Sequence, residues 1–322
     1  MSTTNELRMP AETAVTQCLA LDADESCLIV TDDERRAIGE ALYEVAAEIT
    51  AEATIVQYPP GDRHGSEPPA PVAAAMAGAD VVLAPTTRSL SHTRARVRAN
   101  DAGARVATLP GITESVFVTG LCADYDEIAA HCRDVETQVA DADIVEVRGA
   151  AGTDITFEIG DREWLSDTGI VHESGGMSNL PAGEVFVSPE SASGTFVVDG
   201  TMAPHGLLED GETLSFTVED GYVTEIEDDE ILDIVEDAAK EAGQAAYNLA
   251  ELGIGTNVAV SSLVGSVLLD EKAAGTVHIA IGDDAGIGGD TEAPIHLDGI
   301  IRDVEVLADG EAISLPGRDS DD

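Results

Sequence analysis

The sequence predicts an α/β N-terminal half built on a parallel sheet and a β-rich α+β C-terminal half that carries a metal-binding site. Three observations lead there. Short apolar runs such as Cys27-Leu28-Ile29-Val30 alternate with helical patterns through the first half, the rhythm of a parallel sheet with crossover connections. From about Asp143 short alternating segments separated by Gly or Asp turns take over. Near the end, His278 falls in an apolar strand pattern and the triplet His296-Leu297-Asp298 follows. Strand side chains at i and i+2 share a face, so that imidazole and carboxylate project together.

Each element of the first half has its own signal. After the run at 27–30, Thr31 and Glu34 stand at capping-box spacing, which predicts a helix from there to about residue 49. Residues 53–58 read as a strand, ended by Pro59-Pro60-Gly61 and a polar loop to Pro71. A short helix at 72–77, a strand at 79–84, a helix to about residue 100, a strand at 104–109 and a helix at 125–140 complete the series. The boundary is placed near residue 145, giving domains 1–145 and 146–322. In the second domain strands are expected at 144–147, 154–159, 194–198, 214–218 and 222–226. One helix is expected from about 230 to 252, with Ile231, Ile234, Val235, Ala238 and Ala242 on its apolar side, followed by the His278 strand at 276–281 and a polar tail at 316–322.

Composition narrows the function. The chain has 322 residues, with 63 Asp+Glu against 16 Lys+Arg and a net charge of −47. Only two of the basic residues are lysines, Lys240 and Lys272. Such a surface repels nucleic-acid phosphates and anionic membrane heads, so neither is expected as a partner. The acidic residues are spread along the whole chain, which reads as adaptation to molar salt, where the Debye length is about 3 Å. Cys18, Cys27, Cys122 and Cys132 show no CxxC spacing and read as small buried hydrophobes. No signal-peptide pattern or run of 18 apolar residues occurs, so a soluble, cytoplasmic protein is expected.

Two regions carry candidate chemistry. Residues 86–98 hold Arg88, Arg94, Arg96 and Arg98 beside His92, just after a strand, where open α/β sheets place anionic ligands. The plainer reading is a helix whose arginines pair with surface carboxylates. No GxGxxG, GxxxxGK[ST] or GxSxG motif is present, which leaves nucleotide binding and a serine nucleophile without support. The second half offers Glu184 after a Pro/Gly turn, Glu251 before Gly253-Ile254-Gly255, and Glu271, together with His278, His296 and Asp298. Six such ligands could hold two divalent ions about 3.5–4 Å apart, and mixed imidazole and carboxylate ligation suits zinc, cobalt, manganese or iron.

The segments NLPAGEVFVSPE, ELGIGTN, DEKAAGTVHIAIG and HLD, in this order, resemble the aminopeptidase T family of metallopeptidases and its relatives. The likeness is strongest over residues 179–298, and SLSHTRAR with GARVATLPGIT extends it into the first half. The resemblance implies metal ligands at Glu184, Glu251, Glu271, His278, His296 and Asp298, a paired divalent-metal centre, release of N-terminal amino acids from peptides, and a homodimer. Glu251 is the residue taken to carry the proton as well. One departure stands out, because peptidases of the family carry a tyrosine seven residues after the strand histidine and Ala285 stands there. Relatives include an iron-dependent dioxygenase that opens the ring of 2,5-dihydroxypyridine, for which His278, His296 and Asp298 would suffice. The expectation is therefore a metallo-aminopeptidase acting on a peptide. The alternatives are an iron-dependent ring-cleaving dioxygenase acting on a small molecule, or a metal-binding homologue without catalysis.

Overall fold

The computed structural model describes residues 6–317 and divides into two compact units, Met1–Ala129 with Asp167–Ala182, and Ala130–Ser166 with Gly183–Asp322. The chain therefore changes unit at 129/130, 166/167 and 182/183, where the sequence suggested one boundary near 145. Most of the expected tail at 316–322 lies outside the described residues.

The first unit contains α1 (Arg8–Glu12), β1 (Cys27–Asp32), α2 (Arg36–Ile49), β2 (Ala53–Tyr58), α3 (Ala70–Met76), β3 (Val81–Thr86), α4 (Arg94–Asp101), β4 (Arg105–Pro110) and α5 (Glu114–Leu121). Helix α6 (Tyr125–Val139) follows, then β5 (Ile144–Gly149), β6 (Asp154–Glu158) and β7 (Leu165–Asp167). Strand β8 (Met177–Asn179) returns to the first unit, and its parallel sheet runs β2-β1-β3-β4-β8. Strands β1 and β3 are buried at every residue, as strands covered on both faces must be. Leu28, Val30, Val82, Ala84 and Val106 form one core with Val72 and Met76 of α3 and Ala95 and Ala99 of α4.

Helix α2 begins later than the capping-box spacing predicted. Thr31 and Asp32 complete β1, and the buried Asp32 carboxylate accepts the backbone N–H groups of Glu34 and Arg35 at 3.0 and 3.2 Å. From Arg36 onward Ile38, Ala41, Leu42, Val45 and Ala46 form the buried stripe. Within the arginine-rich segment, Thr93 caps α4 by accepting from Arg96 N, Arg94 pairs with Glu67, and Arg96 donates to the Ser91 carbonyl. The plainer reading of that segment describes Arg94.

The second unit continues with β9 (Glu184–Val187), β10 (Ser191–Val198), β11 (Thr201–Met202), β12 (Gly206–Leu207), β13 (Leu214–Glu219), β14 (Tyr222–Ile226) and α7 (Asp229–Ala242). After α7 come β15 (Leu249–Gly255), α8 (Val267–Asp270), β16 (Val277–Gly282), β17 (His296–Ile301), β18 (Val304–Ala308) and β19 (Glu311–Ala312). One seven-stranded sheet runs β14-β13-β10-β6-β5-β18-β19, and its Phe196 and Phe216 stack directly across neighbouring strands with ring centroids 4.5 Å apart. The other runs β12-β11-β17-β16-β15-β9-β7. The expected helix to residue 252 stops ten residues early. Gly243 takes φ +62°, a conformation that favours glycine, and after one 3₁₀ turn the fully buried β15 begins. Glu251 consequently sits on a strand.

An ion pair ties the start of β1 to β4. Arg105 donates to both carboxylate oxygens of Glu25 at 2.8 and 2.7 Å and to the Leu19 carbonyl at 3.1 Å. The Arg105 hydrogen bonds hold the Glu25 carboxyl below its usual pKa. A depressed carboxylate contributes stability above its unfolded pKa, about 4.3 for Glu, and loses it as pH falls through the folded value. Glu25→Gln is expected to lose roughly 1–3 kcal/mol at pH 7, measured by urea unfolding, and the gap to wild type should close as the solution is acidified below about pH 4. A gap independent of pH would remove the ionic origin.

Candidate metal centre

One face of the β17-β16-β15-β9 sheet gathers the candidate ligands. Register places Gly255 opposite Glu184, Gly253 opposite His278, Ala280 between Glu251 and Asp298, and Gly282 opposite His296. Directly opposed residues in an antiparallel pair share a face, so small residues alternate with donors on it. The alternation has a steric reason. A Cβ on Gly253 would lie 2.0 Å from His278 Nε2, and a Cβ on Gly255 would lie 2.1 Å from the Ala273 carbonyl oxygen. Glycine at 253 lets the imidazole lie flat on β15, and glycine at 255 lets the Lys272-Ala273 backbone cross it.

Two groups of three donors result, each with ligand atoms within 4.8 Å of one another. Glu184, Glu251 and His278 form one, and Glu251, His296 and Asp298 the other. His278 Nε2 is 3.2 Å from Glu251 Oε1 and 3.4 Å from Glu184 Oε2. His296 Nε2 is 3.2 Å from Glu251 Oε2 and 3.3 Å from Asp298 Oδ1. Glu251 is thus common to both. The first group is buried, whereas the His296 side chain is 34% exposed and forms the open side.

Glu271 belongs to neither group. Its Oε1 is 2.8 Å from Lys272 Nζ, and the same ammonium contacts Glu184 Oε1. Lys272 is buried, with 4% of its side chain exposed, and its role had no reading in the sequence beyond its being one of two lysines. Glu184 Oε2 is buried and accepts no hydrogen bond, an orphaned carboxylate oxygen turned toward the first donor group. Such an atom is costly unless a cation completes it, so the donors fit a divalent ion.

The loop before β17 fixes His296. Its Nδ1–H donates to the Asp283 carbonyl at 2.7 Å, which leaves Nε2 facing Glu251 and Asp298. The buried Asp284 anchors this loop by accepting from Ser188 Oγ at 3.0 Å, Asn248 Nδ2 at 2.9 Å and Thr291 N at 2.6 Å. A Cβ on Gly289 would strike the Asp284 carboxylate at 2.0 Å. Ala285, at the expected tyrosine position, begins an exposed 3₁₀ turn in this loop. His172 and His205 are engaged elsewhere, with the Gln17 carbonyl at 2.8 Å and Asp228 at 3.0 Å.

The electrostatics are those of carboxylates in need of cations. Burial, with Glu271 and Glu251 nearby, pushes the Glu184 carboxyl above its usual range despite the Lys272 ammonium. Burial acts the same way on Glu251, but the His278 and His296 imidazoles beside it prevail and lower it. Burial opposes a charge on either histidine, yet Glu251 and Glu184 raise His278 to about 9, and Asp298 and Glu251 hold His296 well above 6.5.

Two units, one with a parallel sheet and one rich in antiparallel sheet, the latter with a donor-lined face, define a chain of aminopeptidase T-like architecture with a candidate metal centre. It belongs to the NicX family, since the model of that family, described as 2,5-dihydroxypyridine 5,6-dioxygenase, matches residues 11–318. A 2,5-dihydroxypyridine 5,6-dioxygenase of Pseudomonas putida is 25% identical over 194 residues, which are 56% of this chain and 55% of the relative. The match thus spans little more than half of that relative's length. The solved 2,5-dihydroxypyridine dioxygenase from Pseudomonas putida superposes with a TM-score of 0.82 at 20% identity, covering 100% of this chain and 99% of the other. Wild-type AmpT from Thermus thermophilus gives 0.65 at 19% identity, covering 97% of both chains.

These matches correct the sequence reading. The expected hydrolase, a metallo-aminopeptidase and therefore a protease, is overturned by the family model and the curated relative, both dioxygenases. The structure supplies a physical reason, because Glu271 is taken up by Lys272 and Ala285 offers no phenol. Nothing in the fold or the relatives supports the halophilic reading of the charge. Among the described residues no helix is long and apolar enough to cross a membrane.

Gly253→Ala places a methyl group inside the His278 ring and is expected to cost roughly 1–3 kcal/mol in urea unfolding and to weaken metal uptake. Wild-type stability together with wild-type uptake would contradict the close packing of β15 on His278.

Proposed function

We propose that this chain is a metal-dependent ring-cleaving dioxygenase acting on a hydroxylated pyridine or a closely related dihydroxylated ring. The observation that carries the reading is the match of the dioxygenase family model to residues 11–318, a span that includes every donor of the centre. Two imidazoles with a carboxylate from Asp298 or Glu251 are the donor types that suit non-haem iron with open positions. Iron bound there would supply the redox chemistry that joins molecular oxygen to the ring.

The remaining work falls to the chain's own groups. His278, His296, Glu251 and Asp298 would hold the ion, with His296 oriented by the Asp283 carbonyl. The buried carboxylates of the first group keep that side closed to solvent, so the ring approaches from the partly exposed His296 side. Glu251 lies between both imidazoles and is placed to accept a proton from a ring hydroxyl on that side. A homodimer remains part of the proposal, as the resemblance implied.

The reading is tested by loading the chelator-stripped protein anaerobically with Fe(II) and following oxygen uptake and loss of the ring's ultraviolet absorbance with 2,5-dihydroxypyridine. Uptake of one O2 per ring opened is expected, and His296→Ala should lose at least 100-fold in rate, on the order of a lost ligand or its support. Absence of oxygen uptake across a panel of dihydroxylated pyridines and benzenes would end the proposal.

A further inference from the structure

The two imidazoles of the centre are held in different ways. His278 is buried and packs flat over Gly253, and its Nδ1 has no hydrogen-bond partner, so close packing fixes that ring. His296 has 34% of its side chain exposed, and packing restrains it less. Its orientation rests on the bond from Nδ1–H to the Asp283 carbonyl.

That carbonyl belongs to the planar peptide unit whose other end is the Asp284 N–H, so the direction of one sets the direction of the other. Asp284 N donates to the Thr291 carbonyl at 3.0 Å, and Thr291 N donates back to Asp284 Oδ1 at 2.6 Å. The two bonds clamp the peptide plane across the loop. The second carboxylate oxygen, Oδ2, accepts from Ser188 Oγ and from Asn248 Nδ2. Ser188 directly follows β9 and Asn248 directly precedes β15, the strands that carry Glu184 and Glu251. One side chain thus ties the His296 tether to the strands of two other donors.

The chemistry of the position calls for a carboxylate. Asp284 is buried and none of these partners is a cation, an arrangement that costs more than a neutral loop anchor. Two N–H groups and a hydroxyl converge on it, and a carboxylate only accepts, whereas an amide would turn its NH2 against Thr291 N or Asn248 Nδ2. We infer that Asp284 is a positioning residue for the metal centre: through the 283–284 peptide it fixes the carbonyl that holds His296 Nδ1–H, and so selects Nε2 as the nitrogen facing Glu251 and Asp298. It acts through His296 alone. The inference rests on the metal-dependent part of the function proposed above.

Two readouts test this without an activity assay. In the metal-free full chain with isotope-labelled histidine, nuclear magnetic resonance should show a solvent-protected Nδ1–H signal that disappears in His296→Ala, which assigns it. Asp284→Asn is expected to lose that protection and to bind Co(II) roughly 10–100-fold more weakly. Glu25→Gln, which removes an ion pair of the first unit, should keep both and so separates positioning from a general loss of stability. Thr291→Pro removes the N–H received by Oδ1 while keeping the carboxylate, and should move both readouts as Asp284→Asn does; it decides the matter if Asp284→Asn does not fold. A folded Asp284→Asn with the wild-type signal and affinity would overturn the inference, as would a Glu25→Gln that loses both equally. A wild type that takes up no Co(II) would end the metal reading, and the imidazole signal would still decide whether Asp284 orients His296.

Discussion

The centre depends on one carboxylate. Glu251 lies on the fully buried β15 and receives His278 on one oxygen and His296 on the other, both at 3.2 Å. A buried carboxylate is tolerated only when cations or hydrogen bonds replace water, and here two imidazoles supply them. Every other donor is arranged around that requirement. Glu184 approaches the same imidazole from β9, Asp298 the other from β17, and the charge that remains on the Glu184 and Glu271 side is met by Lys272.

The sheet accomplishes this with small residues. An antiparallel face normally fills with side chains of similar size, but Gly253, Gly255, Ala280 and Gly282 leave hollows beside His278, Glu251, Asp298 and His296. The donors lie over these hollows and converge. Glycine weakens a strand interior, and that cost is acceptable only where another group must approach closely. At Gly253 the group is an imidazole, and at Gly255 it is the backbone that brings in Lys272.

Much of this architecture is legible in the amino-acid order, and the part that is not has definite causes. The parallel sheet shows itself because β1 and β3 are continuous apolar runs, and His296 with Asp298 because period two puts them on one face. Glu251 stands out as a site candidate, yet the sequence assigns it to the wrong element. Residues 229–252 are rich in Ala and Glu, so helical periodicity runs on past Gly243, the one local stop signal, where the chain leaves the helix and enters a buried strand. The Glu271-Lys272 partnership is hidden differently. Adjacent residues on a strand point apart, so a sequence reading treats them as independent; just past the last turn of α8 they converge on one ion pair. Asp284 is unreadable for the same reason, since its partners Ser188, Asn248 and Thr291 come from three separate segments.

The choice between hydrolysis and oxygenation turns on what the motifs share. Glutamate, histidine and aspartate in that order specify a fold and a donor face, and such a face serves more than one chemistry. A peptidase with two metals must place a second ion against carboxylates that are otherwise free, and must stabilise a tetrahedral oxyanion with a further donor. This chain pairs Glu184 and Glu271 with the Lys272 ammonium, so those carboxylates are not free, and it has an alanine where the further donor is expected. Both differences leave the fold and the Glu251 group intact, which is why similarity in motif order pointed to the peptidase while the family model over residues 11–318 pointed to the dioxygenase. A cation fixed in the chain cannot exchange ligands or bind water as a metal does.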